Sequence, residues 1–331
     1  MNFLDKCSIL TGITISEDDA LVVVMNDGLA EERQQHAIPL LFRNNTWSVT
    51  PSEPILPWIA AGVGIITDPV QQIAIVGWGG QVLMFEKDKT YREAIQRSKN
   101  EHVSIIRSVA SVDGNLYAVG MKRQAYLRKQ GNNWTEIDQN VAYKGKEIAI
   151  GFNKISGFNN SEIYAVGLNG EIWRYDSNHW HEVATLTNVP LFSVCCAPDG
   201  NVYIGGKSGI FILGRHQSWE ILDTDMEETI WDIHCFKNQI YIMTNKDIYM
   251  LINKNLKKIK NNLLEHKDFL CFSSSKEKLW IFGRKAITQH DGISWSALNT
   301  DLPTDINYSP TYGFFTGDVL ITGSDYLDEE I

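Results

Sequence analysis

The sequence predicts an all-β chain built as a β-propeller of four-stranded blades. Three observations carry this. A strand-like apolar segment closed by a small residue recurs eight times, at 20–25, 72–77, 115–120, 162–167, 201–206, 239–244, 278–283 and 318–323. The last residues of these segments lie 52, 43, 47, 39, 38, 39 and 40 apart, a period near forty. An aromatic residue then recurs at the start of a short polar strand: Trp47, Tyr91, Trp134, Trp180, Trp219 and Trp295.

The best-formed unit spans 148–183, and its elements follow one another with turn chemistry between them. Strand A alternates through 148–156 into the turn Phe158-Asn159-Asn160-Ser161. Strand B is EIYAVG at 162–167, the most apolar strand, as expected for one covered on both faces. The turn Leu168-Asn169-Gly170 leads to strand C, EIWRY. A second turn, Asp176-Ser177-Asn178, leads to strand D, HWHEV. Gly, Asn and Asp fill these turns because they tolerate positive φ. The aromatic of strand D is expected to cover the gap between adjacent blades, a structural role. Leu256 stands there in the sixth unit. Ten residues before each anchor stand Thr67, Ala110, Gly157, Cys196, His234, Ser273 and Gly313, mostly small because inner strands converge on an axis. His234, two residues from Asp232, is expected to be a hydrogen-bonded polar residue facing that axis.

Seven blades are expected, with eight as the alternative. In the seven-blade reading, strands within 308–323 pair with 38–43 and 46–50 to complete one blade. The first hairpin, 8–25, is then left over. The whole chain, 1–331, reads as a single domain.

The string IYAVGLNGEIWRYDSNHWHEV resembles a bacterial propeller repeat, similar to those of kelch-like and photosystem-assembly-factor-like propellers. Ile163, Tyr164, Val166, Gly167, Gly170, Ile172, Tyr175, Asp176 and Trp180 carry the likeness. The resemblance implies a fold and no activity. Trp-Asp repeats, sialidase Asp boxes and paired kelch glycines are present only as fragments.

The formal net charge is −10, which argues against a nucleic-acid partner and favours a basic one. Five cysteines, odd in number and without a CxxC pair, read as reduced thiols. The N-terminus lacks a secretory pattern and no apolar run is long enough to span a membrane, so a cytoplasmic protein without membrane contact is expected. No phosphate-binding glycine loop or nucleophile elbow occurs. His179 and His181 flank Trp180 but lack a third ligand. Scattered arginines form no recognisable set. Neither cofactor nor metal is expected, and the chain does not read as an enzyme.

One surface stands out. D–A loops and B–C turns share one face of a propeller. Asp223, Asp225, Glu227 and Glu228 cluster in one D–A loop with Trp231, and Trp78 and Tyr308 fall on the same side. Acids steer basic partners and aromatics anchor interfaces. The expected function is a non-catalytic protein-binding propeller, specifically an immunity protein that caps a basic toxin domain. A sugar- or small-molecule-binding propeller, stacking its ligand on Trp, is the alternative, and an enzyme with an axial site the third reading. Replacing Trp180 with Ala should cost about 3–5 kcal/mol of stability in urea unfolding, because a large inter-blade ring is lost.

Overall fold

A computed structural model describes residues 2–316, except 51–54, 68–69, 88, 99–100, 130–132, 148, 184–185, 266–267, 304–305 and 310–312. It contains seven four-stranded antiparallel sheets, each pairing in the order A-B-C-D, and the fold is a seven-bladed β-propeller. Blade 1 comprises Cys7–Thr14, Ala20–Asn26, Ile38–Arg43 and Thr46–Val49. Blade 2 comprises Ala60–Ile66, Gln72–Gly77, Gln81–Glu86 and Lys89–Ala94. Blade 3 comprises Ile106–Val112, Asn115–Gly120, Ala125–Lys129 and Asn133–Glu136. Blade 4 comprises Phe152–Asn159, Glu162–Gly167, Ile172–Tyr175 and Trp180–Val183. Blade 5 comprises Leu191–Cys196, Val202–Gly206, Phe211–Arg215 and Ser218–Leu222. Blade 6 comprises Asp232–Phe236, Gln239–Met243, Ile248–Ile252 and Asn255–Lys258. Blade 7 comprises Phe269–Ser274, Leu279–Gly283, Ala286–His290 and Trp295–Ala297. The chain divides into two compact units, one of Met1–Ala60 with Asn261–Ile331 and one of Ala61–Lys260.

The first unit holds blades 1 and 7 and a separate hairpin, Ile306–Ser309 with Gly313–Thr316. Blade 1 is complete from N-terminal residues alone, which corrects the expected closure. Ala20–Asn26 pairs on one side with Cys7–Thr14 and on the other with Ile38–Arg43, so no strand remains to be supplied from the C-terminus. The reason lies in the B–C connection. Where other blades turn tightly, blade 1 inserts the helix Asp27–Glu31, capped by the Asn26 side chain accepting from the Leu29 N–H. That insertion produces the long first interval. The eighth strand-like segment, 318–323, lies outside the described residues.

Beneath this sheet Phe3, Phe42, Trp47, Trp280 and Phe282 share one buried cluster. The Trp47 indole N–H, otherwise stranded in that core, donates to the Asn299 carbonyl at 2.8 Å. Lys285 Nζ donates to the carbonyls of Leu4 and Cys7, both at 2.9 Å, and so ties the N-terminal segment to blade 7.

The second unit holds blades 2 to 6. The strand B residues of blade 4 are all buried, and each inner strand packs on the next. Trp180 is 2% exposed, and its indole N–H reaches back to the Ile137 carbonyl beyond blade 3 at 2.9 Å. It is the inter-blade cover expected. Trp134, Trp219 and Trp295 occupy matching strand positions but are only half-buried, so the expectation that these four tryptophans sit in equivalent buried sites between blades is corrected for three of them. Each finds its polar or stacking partner nearer the surface: Glu93 for Trp134, the His216 carbonyl for Trp219, the His290 ring for Trp295.

Two of the scattered arginines prove to be blade connectors. Arg128, fully buried in blade 3, donates to both carboxylate oxygens of Glu93 in blade 2 at 2.8 Å. Arg215 of blade 5 grips Glu162 of blade 4 in the same bidentate way, at 2.8 and 2.6 Å. That pairing holds the Glu162 carboxyl below its ordinary range.

The closing glycine of the repeat has a steric cause. In blades 3, 4, 5 and 7 the backbone entering strand A crosses the end of that blade's strand B. A Cβ on Gly167 would lie 2.0 Å from the Gly151 carbonyl oxygen. The same carbonyl accepts from the Leu168 N–H at 3.1 Å, so the crossing is bonded and cannot open freely. Gly167 itself is extended, with φ −154°, so the demand is for space and not for a glycine-only conformation. Gly167→Ala should therefore lower stability by about 1–3 kcal/mol in denaturant unfolding.

Candidate protein-binding face

Strands A and C run one way through each blade and B and D the other. D–A loops and B–C turns therefore emerge on the same side. Within the second unit this side carries most of the exposed large apolar residues: Trp78, Ile105, Leu186, Ile221 and Trp231. Ile252, beside a C–D turn, lies on the other.

The acidic D–A loop of blade 5 is held in place by backbone. Gly209 has φ +71°, and a Cβ there would lie 1.8 Å from the Met226 carbonyl oxygen, so the loop rests directly on the B–C turn. Thr224 Oγ1 donates to the Gly209 carbonyl at 3.3 Å, and the Ile230 N–H to the Gly206 carbonyl at 3.0 Å. Asp225 takes a left-handed conformation, φ 50°, which Asp tolerates better than most residues.

Asp223, Asp225 and Glu227 are all exposed and line one shallow depression of about 500 Å³, with Ile210 and Ile221 also in its wall. The structure thus brings three of the expected acids together around one depression that also has Ile210 and Ile221 in its wall. Glu228 departs from them. It lines a separate recess of about 140 Å³ with Thr229, Asn245 and Lys246, and its Oε2 is buried without a hydrogen-bond partner. Trp231 is 37% exposed and lies on the Phe192 ring at 4.6 Å, leaving its other face open. Trp78 is 43% exposed, but it belongs to blade 2, where its carbonyl accepts from the Ile106 N–H at 2.9 Å. That bond sets Trp78 beside the segment entering blade 3, not beside the acidic loop. The side chain of Tyr308 lies outside the described residues.

Sequence reasoning missed Ile221 and Ile105. Ile221 falls on strand D of blade 5, where alternation alone puts it opposite the buried Leu222. That signal was available.

The inner strands offer a second polar group. Lys154 of blade 4 pairs with the buried Asp232 of blade 6 at 2.9 Å. Burial pushes the pKa of the neighbouring His234 down. His181, from the candidate histidine pair, bonds Asp176 at 2.7 Å. No group of three or more metal-binding side chains occurs among the described residues. No helix among them is long and apolar enough to cross a membrane.

No family model matches the sequence. The immune protein Tsi7 of Pseudomonas aeruginosa is 32% identical over 297 residues, covering 88% of this chain and 96% of that protein. Among solved structures, YCF48 bound to D1 peptide superposes with a TM-score of 0.58 at 15% identity, over 78% of this chain and 89% of that one. A catalytically inactive virginiamycin B lyase from Staphylococcus aureus with quinupristin gives a TM-score of 0.65 at 10% identity, over 86% and 95%. The WD40 β-propeller domain of Doa1 gives 0.62 at 10%, over 84% and 90%. At such identities these likenesses concern the fold alone.

The thiols are a direct check on the inner strands. All five cysteines are free, and burial pushes Cys7 and Cys195 up to about 12. Near neutral pH both should stay protonated, so alkylation of the native protein at these two sites should be slow and should become fast only in denaturant.

Proposed function

Because the chain belongs to the family of the Pseudomonas aeruginosa immune protein Tsi7, we infer that it is an immunity protein, a non-catalytic propeller that neutralises a toxic protein by binding it. The whole chain acts as one domain in the cytoplasm, without cofactor or metal. Its partner is a basic toxin domain, and nucleic acid is not its ligand.

The observation that carries the site assignment is the pinned acidic loop lining a shallow depression with Ile210 and Ile221 in its wall. Asp223, Asp225 and Glu227 are held outward by a backbone that does not need to reorganise on binding. Carboxylates so placed raise the rate of encounter with a cationic surface, and salt screens them. Trp231 offers one open aromatic face, already backed by Phe192, and a half-supported ring of this kind makes an anchor. Trp78 and Glu228, on the same side of the second unit, belong to the candidate face. The covered side of Trp231 disfavours a sugar sandwiched between two rings.

The test is co-expression with candidate toxin domains, starting from any encoded beside this gene. Wild type should restore growth and form a complex in gel filtration. Changing Asp223, Asp225, Glu227 and Glu228 to Ser should slow association about tenfold or more at low salt and little at high salt. Trp231→Ala should instead speed dissociation. A rescue that survives both changes with unaltered kinetics rules out this loop, and the absence of any complex rules out the immunity reading.

A further inference from the structure

The acidic loop is not alone on its face. Blade 3 presents a group of opposite sign. Lys122 sits in its B–C turn with φ +58°. Its N–H donates to the Ile150 carbonyl at 2.7 Å, and its carbonyl accepts from the Tyr143 N–H at 2.8 Å. These bonds fasten the D–A loop around 143–147 to that turn. Tyr143 then folds over Gly145, where an added Cβ would lie 2.2 Å from the phenol oxygen. Lys144 and Lys146, on either side of that glycine, are both exposed.

The neighbouring cations are neutralised. Arg123 pairs with Glu171 at 2.5 Å and Arg97 with Asp138 at 2.7 Å. Lys122, Lys144 and Lys146 form no ion pair among the described residues, and next to Lys146 along the chain stands the exposed Glu147. Between this group and the acidic loop lies the D–A loop of blade 4. The stretch 184–190 there, ATLTNVP, carries no charge and exposes Leu186. On the acidic side the nearest cation in the turns is Lys207. The face thus runs from positive at blade 3 to negative beyond blade 5, and blade 4 between them carries no cation in that stretch, with the exposed Glu182 at the strand D position that Ile221 holds in blade 5.

A chain of net charge −10 needs no such lysine triad, with Lys144 and Lys146 exposed and Lys122 half-buried, for solubility. On a face that docks a uniformly basic surface, the triad would oppose binding, since like charges across an interface cost affinity. We propose that the partner's contact surface is itself bipolar: basic opposite Asp223, Asp225 and Glu227, acidic opposite Lys122, Lys144 and Lys146. The opposed charges fix the rotational register in which the partner docks. This rests on the immunity reading and adds the sign pattern of the surface recognised.

Stopped-flow association with the toxin protein identified by growth rescue tests it through the sign of one effect. Lys122, Lys144 and Lys146 are changed together to Gln. The variant makes this chain still more acidic, so a uniformly basic partner would associate faster. A bipolar partner associates more slowly, by about three- to tenfold at low ionic strength. Circular dichroism and melting of the variant should match wild type, since all three side chains lie on loops. Faster or unchanged association with the lysine variant, while the acid variant still slows, overturns the bipolar assignment alone. Indifference to both sets means that another surface docks, and both readings fall.

Discussion

The structure depends on one close crossing, repeated from blade to blade: the backbone entering strand A lies against the end of strand B in the same sheet. At Gly167 and at Gly120 a carbonyl oxygen occupies the space a side chain would need. Because the crossing backbone is also hydrogen-bonded, it sets where strand A begins and how the loop before it leaves the sheet. The position of the candidate binding loops follows from that. Blade 6 shows the cost of relaxing the rule. Its strand B ends in Met243 and is followed by Thr244, and the Trp231 N–H meets the Met243 carbonyl at 2.8 Å instead of passing over a glycine. There the incoming segment brings a tryptophan to the surface.

The blades were legible because strand B is covered on both faces and reads as an uninterrupted apolar run. Period, strand order and turn positions could all be taken from it. Blade 1 was misread because its B–C connection holds the helix Asp27–Glu31, and a lengthened connection leaves the same gap in a period as a missing strand. The tryptophans of strand D were misread for another reason. Equivalent position fixes the direction of a ring, whereas burial depends on where its N–H finds an acceptor. Trp180 finds one deep, at Ile137, and Trp219 finds one in its own surface turn, at His216.

At the candidate site, the acids were visible as a run of charge in a predicted loop. The division between Glu228 and the other three was not, since it depends on one carboxylate turning into a recess beside Asn245 and Lys246. The lysines of blade 3 were harder still. Lys122 stands out only once its left-handed backbone and its bond to the Tyr143 N–H place it with a loop more than twenty residues on. Arg128 illustrates the same limit within the framework. Nothing in its neighbours along the chain distinguishes it from the exposed arginines, yet it is fully buried against Glu93.

The loop of Asp223 to Glu227 is anchored mainly through main-chain atoms, at Gly209, Met226, Gly206 and Ile230, joined by the Thr224 hydroxyl and by Asp223 Oδ1, which accepts from the Asp225 N–H at 3.4 Å. The side chain of Glu227 is thereby uncoupled from its path. Substitutions at 227 can alter charge, length and shape without moving the chain that carries them, whereas 225 keeps a left-handed backbone that few residues accept. Such a loop is an evolvable lock. An adversary that changes its contact residues can be followed by point mutation alone, with the propeller beneath left untouched.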